Sequence, residues 1–212
     1  MSQSNCTIYV VDDDPSIRKS LKRLLSSADY SVVLFSDADE FWSANITDKE
    51  SACLILDVKM PGLSGYDLQE KLNSVNSILP IIFITGYGDI PSSVKAIKNG
   101  AINFLPKPFN DAELFISIEE ALKKSAELIT DQKEKNYIRE RVNKLTNREY
   151  EILTYVLSGR LNKNIAAELN ISEKTVKVHR GRIMGKLDVD SVAALVSLTN
   201  RIGIKPAEIL KD

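Results

Sequence analysis

Five short apolar runs, separated by amphipathic stretches, dominate residues 6–110: CTIYVV (6–11), SVVLF (31–35), ACLILD (52–57), PIIFIT (80–85) and NFL (103–105). A strand with one face in water alternates apolar and polar residues. Most of these runs are apolar on consecutive positions, which predicts strands buried on both faces of a parallel sheet. Helix candidates lie between them. PSIRKSLKRLLSSA (15–28) places Ile17, Leu21, Leu24 and Leu25 on one face and begins with Pro15, whose fixed φ suits a first turn. DADEFWSA (37–44), GYDLQEKLNS (65–74) and IPSSVKAIKNG (90–100) follow, the last closed by Gly100. Five β-then-α units predict a doubly wound α/β fold on a five-stranded parallel sheet.

From Asp111 the pattern is helical to about Arg141, and residues 125–142 are highly charged with sparse apolar positions. No Gly or Pro interrupts that segment, so it reads as a helical connector rather than a coil. Beyond Leu145 the texture changes again. Thr146 and Glu149 fit a capping box opening a helix to about Ser158. Asn162 is the expected cap of a second helix (163–169), Ser172 of a third (173–187) and Ser191 of a fourth, to about Ile202. Four short helices in about 60 residues predict an all-α helix-turn-helix bundle. The chain therefore divides into an α/β domain (1–124), a helical linker (125–143) and a helix-turn-helix domain (144–212).

The formal charge of −1 hides an asymmetry. Residues 1–125 carry 12 Lys and Arg against 17 Asp and Glu, a balance of −5, while residues 126–212 carry 16 against 12, a balance of +4. The split suits a polyanionic partner for the second half. No apolar run reaches the length of a membrane span, and the N-terminus turns acidic where a signal peptide would need its cleavage site. Cys6 and Cys53 both sit in strand-like runs, which fits reduced core thiols in a cytoplasmic protein.

Ligands of a doubly wound sheet collect at the carboxyl ends of its strands. Asp12 and Asp13 close the first run, Asp57 the third and Thr85 the fourth, and Lys107 follows the fifth. Crowded carboxylates repel one another unless a hard cation joins them, most simply Mg²⁺, with Mn²⁺ as an alternative. A carboxylate beside such an ion can attack phosphorus, and a threonine hydroxyl with a lysine ammonium can receive the phosphoryl oxygens.

VVDDDPSIRKSL, LILDVKMPGLSG, IIFITGYGD and FLPKPF occur in that order and resemble the receiver domain of two-component response regulators over residues ~6–125. The resemblance implies a CheY-like sheet of order 2-1-3-4-5, with Asp57 as acceptor of phosphoryl from a sensor histidine kinase. It implies Mg²⁺ on Asp13, Asp57 and the backbone carbonyl of Lys59, and on Asp12 directly or through water, with Asp14 an outward neighbour. It gives Thr85 and Lys107 the roles argued above and a cis Lys107–Pro108 bond. The family's aromatic switch falls on Phe104, which has no hydroxyl and must respond through packing. Met60-Pro61-Gly62 and Gly65 look like turn residues. The face around residues 90–120 would dimerise upon phosphorylation.

LTNREYEILTYVLSGRLNKNIAAELNISEKTVKVHRGRIMGKL resembles the LuxR/FixJ-type helix-turn-helix from Leu145 to about Ile204. Segment 172–187 holds five Lys or Arg, one His and one Glu, as a DNA-reading helix should. A helical wheel packs Val176, Ile183 and Leu187 inward and turns Lys177, Val178, Gly181, Arg182 and Gly185 toward a major groove. The DNA-contacting candidates are Lys174, Lys177, Val178, His179, Arg180, Gly181 and Arg182. Lys177 and Arg182 can meet bases or phosphates, and Val178 a thymine methyl. Arg180 and His179, the chain's one histidine, suit the DNA backbone. On the last helix Val192, Leu195, Val196 and Leu198 offer more apolar surface than one small bundle needs, which predicts pairing of two such domains on promoter DNA.

The sequence admits two rival readings. A haloacid-dehalogenase-type phosphatase needs DxDxT after its first strand, and Asp12-Asp13-Asp14-Pro15-Ser16 does not supply it. The other is a receiver working by protein contact alone, for which replacing Lys177 and Arg182 with Ala would change nothing, whereas a DNA-reading helix would lose promoter binding. No Gly-rich phosphate loop points to nucleotide binding. With no ATPase domain, a regulator of this kind would recruit ordinary RNA polymerase, commonly as an activator, and would not be a turnover enzyme.

Overall fold

The computed structural model describes residues 6–46, 50–86 and 90–208 and divides the chain into two units, Met1–Thr130 and Asp131–Asp212. The chain termini (1–5 and 209–212) and the Tyr87-Gly88-Asp89 end of the third motif lie outside the described residues.

In the first unit, strands β1 (Thr7–Val11), β2 (Ser31–Phe35), β3 (Ala52–Asp57), β4 (Ile81–Thr85) and β5 (Asn103–Pro106) alternate with helices α1 (Pro15–Ser26), α2 (Ala38–Ser43), α3 (Gly65–Ser74), α4 (Ile90–Lys98) and α5 (Asp111–Val142). The strands form one parallel sheet of order β2-β1-β3-β4-β5, as the resemblance implied. Side chains of successive strand residues point to opposite faces, and two cores result. Ile8, Val10, Ile55, Ile82 and Ile84 pack with Leu21 and Leu25 of α1 and Leu114 and Ile118 of α5. Val11, Leu54, Leu56 and Phe83 pack with Phe41 of α2, Leu68 and Leu72 of α3 and Ala96 of α4. That double burial is why β3 and β4 read as unbroken apolar runs. Edge strand β2 departs from it, since Ser31 and Val33 are exposed.

Two side chains bind β3 to α5. Ser125 Oγ accepts the Ala52 N–H at 3.1 Å, and Ser51 Oγ donates to the Leu122 carbonyl at 3.3 Å. Cys6 and Cys53 are free thiols, and burial pushes the Cys53 thiol well above its usual range. Among the described residues no helix is long and apolar enough to cross a membrane.

The second unit comprises the C-terminal part of α5 and helices α6 (Asn147–Leu157), α7 (Asn162–Glu168), α8 (Glu173–Leu187) and α9 (Val192–Asn200). Thr146 and Glu149 close the anticipated capping box on α6, and Ser172 and Ser191 cap α8 and α9. Asn162 departs from expectation. The N-cap of α7 is Leu161, with no side-chain cap, and Asn162 is the first helical residue. Its Oδ1 instead accepts a hydrogen bond from Arg180 Nη1 at 2.8 Å. The core joins Ile152, Leu153, Val156, Ile165, Val176, Ile183, Leu187 and Leu195 with Ile138 and Val142 of α5. Leu195 is buried and Leu198 packs against this core, so of the apolar residues assigned to the outer surface of α9 only Val192 is exposed. Val196 is half-buried.

Candidate functional site

The carboxyl edge of the first unit's sheet gathers the acidic residues. Asp12 follows β1, with its N–H directed to the Phe35 carbonyl at 3.4 Å, and Asp57 is the last residue of β3. Register pairs Asp57 with Ile84 and Thr85 with Pro106, and the Lys107 N–H donates to the Thr85 carbonyl at 2.7 Å. Sheet pairing alone therefore brings together residues far apart in sequence. Lys107 Nζ donates to Asp12 Oδ2 at 2.7 Å and to Asp57 Oδ2 at 2.8 Å. Asp12, Asp13 and Asp57 each offer a carboxylate oxygen, all within 4.8 Å of one another. Asp12 and Asp57 are buried and Asp13 is exposed, so the cluster opens on one side.

Burial raises the Asp12 carboxyl above its usual range, and this outweighs the hydrogen bonds from Lys107 and the Asp14 N–H, while the Asp57 charge adds to the rise. Burial alone would lower the Lys107 ammonium, but hydrogen bonds to Asp12 and Asp57 hold it above the usual lysine range. An all-oxygen set of crowded carboxylates suits a hard divalent cation, so these residues fit Mg²⁺.

The remaining candidates take these places. Thr85 is buried at the end of β4. Lys59 is exposed, and its N–H donates to Asp57 Oδ1 at 3.4 Å. Phe104 is half-buried on β5 with its ring 6.2 Å from that of Phe83. Lys107–Pro108 is cis. Asp14 is exposed and caps α1 by accepting the Ser16 N–H at 2.7 Å.

At this edge one functional residue is not evident from the sequence and another has a different role from the one its sequence suggests. Arg18, one turn into α1, donates from Nη1 to the Asp12 carbonyl at 2.5 Å and fixes the loop that carries the acids. Gly65 is not a turn residue. It opens α3 directly against the end of β3, where a Cβ would stand 2.2 Å from the Asp57 carbonyl oxygen.

In the second unit, α8 buries Val176, Ile183 and Leu187 and exposes Lys177, Val178, Gly181, Arg182 and Gly185, as the wheel anticipates, and Lys174 is exposed too. A Cβ on Gly181 or Gly185 would meet nothing within 4 Å, so neither glycine is required by packing within the chain. His179 is half-buried and its Nδ1 is buried without a hydrogen-bond partner. The other cations of this unit include several neutralised ones: Lys186 with Glu149, Arg148 with Glu151 and Arg160 with Glu168, each at 2.6 Å. Among the described residues, Lys174, Lys177 and Arg182, the exposed cations of α8, have no such partner.

Comparison with known proteins agrees with both halves. Residues 8–119 match the response regulator receiver domain, and residues 143–199 match the bacterial regulatory proteins of the luxR family. The response regulator protein TodT of Pseudomonas putida is 44% identical over 202 residues, covering 95% of this chain and 88% of that one. The transcriptional regulatory protein FixJ of Bradyrhizobium diazoefficiens is 39% identical over 197 residues, covering 93% and 96%. The solved structure of the response regulator StyR superposes with a TM-score of 0.74 at 44% identity, covering 93% of this chain and 99% of that one.

Proposed function

The chain belongs to the two-component response regulators in which a receiver domain precedes a LuxR-type DNA-binding domain, and from that premise we propose that phosphorylation of Asp57 controls occupancy of promoter DNA. In this reading residues 1–124 are the receiver, 125–143 the helical connector and 144–212 the DNA-binding domain. A sensor histidine kinase presents a phosphohistidine. A carboxylate oxygen of Asp57 forms a bond to phosphorus as the P–N bond breaks, the electron pair stays on the imidazole nitrogen, and an acyl phosphate results. The Lys107 ammonium and Thr85 hydroxyl receive the phosphoryl oxygens. Asp12, Asp13, Asp57 and the Lys59 carbonyl would hold Mg²⁺, or Mn²⁺ in its place. When bound, the ion supplies the positive charge that lets an anionic nucleophile meet an anionic phosphoryl group. The acyl phosphate is lost slowly, so the domain is a switch rather than a turnover enzyme.

The observation that carries this reading is the bridge from Lys107 Nζ to both Asp12 and Asp57. A phosphoryl group on Asp57 takes over that ammonium and draws Thr85 inward, and Phe104 follows through packing. The face it remodels leaves Val94, Ile97 and Ile116 exposed on α4 and α5, which suits a homodimer contact. Two copies then set two α8 helices on neighbouring half-sites, with Val192 and Val196 of α9 adding to the pairing. Lys174, Lys177, Val178 and Arg182 read or grip the DNA, Gly181 lets it approach, and His179 and Arg180 flank the contact. The bound dimer recruits RNA polymerase as an activator. The test is a promoter footprint with Mg²⁺ and acetyl phosphate: the wild type gains protection and Asp57→Asn does not. Equal donor-dependent protection in Asp57→Asn would overturn the reading.

A further inference from the structure

We propose that Arg180 and Asn162 act together as a clamp on the DNA sugar-phosphate backbone, Asn162 positioning the guanidinium and both side chains donating to one phosphate. This rests on the reading of α8 as the DNA-reading helix and adds to it the element that sets where that helix lies.

Arg180 stands beside the buried stripe of α8, at the border between Val176 and the exposed Lys177, and so faces α7 rather than the centre of the groove-facing surface. Its Nη1 donates to Asn162 Oδ1 at 2.8 Å, and both side chains are half-buried. Arg139 also meets an asparagine, Asn136 at 3.1 Å, but that pair is exposed and lies within one helix, whereas Arg180 and Asn162 bridge two. Arg148, Arg160 and Lys186 meet carboxylates, which cancel their charge. Arg180 meets a neutral amide. The contact fixes the direction of the guanidinium, and among the described residues no carboxylate pairs with it.

What remains on both partners is donors. With its Oδ1 used, Asn162 presents the two N–H groups of its amide, and Arg180 keeps the donors that Asn162 does not take. Lys163, exposed and without an ion-pair partner among the described residues, follows Asn162 on α7. A half-buried cluster of donors with one net charge per arginine calls for an acceptor with several anionic oxygens in a compact group, and backbone phosphate is that acceptor on duplex DNA. A guanidinium held by a rigid partner loses less freedom on binding than a free side chain. Spanning α7 and α8, the clamp would fix both helices to one phosphate and set the insertion of α8.

The test uses the full chain, a fluorescent duplex of mixed sequence and binding anisotropy across a salt series. Arg180→Ala is expected to weaken binding about tenfold and to flatten the plot of log K against log salt by about one phosphate contact. Arg180→Lys should keep the slope and recover only part of the affinity. Asn162→Ala should weaken binding in the wild type but add little once Arg180 is gone, the signature of two residues acting as one. Thermal melts report the purely structural alternative. An Arg180→Ala protein with a lowered Tm and an unchanged salt slope would overturn the clamp, as would strictly additive losses. A wild-type chain that binds no duplex at low salt would instead remove the DNA-reading assignment of α8, and the clamp with it.

Discussion

The Lys107 ammonium lies 2.8 Å from Asp57 Oδ2 while also holding Asp12 at 2.7 Å, so one half-buried cation offsets two buried carboxylates. A divalent ion arriving at the same cluster would compete with it for those oxygens. Lys107→Met should therefore bind Mg²⁺ more tightly, by about tenfold for an electrostatic change near 1.4 kcal/mol. Phosphoryl uptake from acetyl phosphate should fall by a similar factor or more, because the developing charge loses its donor. Calorimetric Mg²⁺ titration and a phosphate-affinity gel measure the two effects. Weaker Mg²⁺ binding in the variant would show that the ammonium organises the acids rather than competing for them.

Gly65 allows α3 to begin against the carbonyl of Asp57, at a place where a Cβ would come within 2.2 Å of backbone. Backbone cannot swing aside as a side-chain tip can. Gly65→Ala should cost about 1–3 kcal/mol in urea unfolding of the first unit and slow phosphorylation by moving Asp57. Gly62→Ala serves as a contrast: it has open space around it, and its φ of +79° is the only obstacle. Equal phosphorylation rates in Gly65→Ala and wild type would show that Asp57 tolerates the displacement.

Glu149 is buried, yet its carboxylate accepts from Lys186 Nζ at 2.6 Å and from the Thr146 N–H at 2.8 Å. The Lys186 hydrogen bond, with that from Thr146, holds its carboxyl below the usual glutamate range. A folded-state value below the unfolded one means stability that is present above the unfolded value and is lost as pH falls through the folded one. The second unit should therefore lose Tm on acidification below the ordinary glutamate range. Glu149→Gln should lose about 1–3 kcal/mol at neutral pH, from the charged hydrogen bonds it forfeits, and show a flatter acid limb. Parallel limbs for variant and wild type would mean that other carboxylates carry the acid sensitivity of this unit.

The sheet and its acidic edge were legible because both depend on residue type at short range. Consecutive apolar residues identify β3 and β4 wherever the chain runs, and strand ends deliver Asp12, Asp57, Thr85 and Lys107 to one edge once the strands are parallel. Features set by contacts between distant segments were hidden. Asn162 has the composition of a helix cap, but a partner on α8 claims its oxygen, so Leu161 takes the cap position uncapped. Gly65 reads as a turn until the end of β3 is seen against it. Leu195 and Leu198 look surplus on a helical wheel, but both pack with the core of the second unit.

The most consequential hidden feature lies in the charged connector. Ile138 and Val142 are one helical turn apart in a segment rich in charged residues, yet Ile138 is 3% exposed and packs in the core of the second unit. Arg141 secures the same segment from outside, donating to the Leu187 carbonyl at 3.0 Å and pairing with Asp188 at 3.1 Å. Arg201, just beyond α9, pairs with Asp131 and Glu134. A fragment of residues 144–212 would leave Ile152, Leu187 and their neighbours partly open to water, whereas one of residues 131–212 keeps them covered. The longer fragment should unfold cooperatively at clearly higher urea. In the full chain Ile138→Ala should cost the second unit about 2–5 kcal/mol through the lost methyls and the cavity they leave, with the unfolding of the first unit unchanged. Equal urea midpoints for the two fragments, together with an unaltered transition in Ile138→Ala, would show that the connector only covers this core without stabilising it.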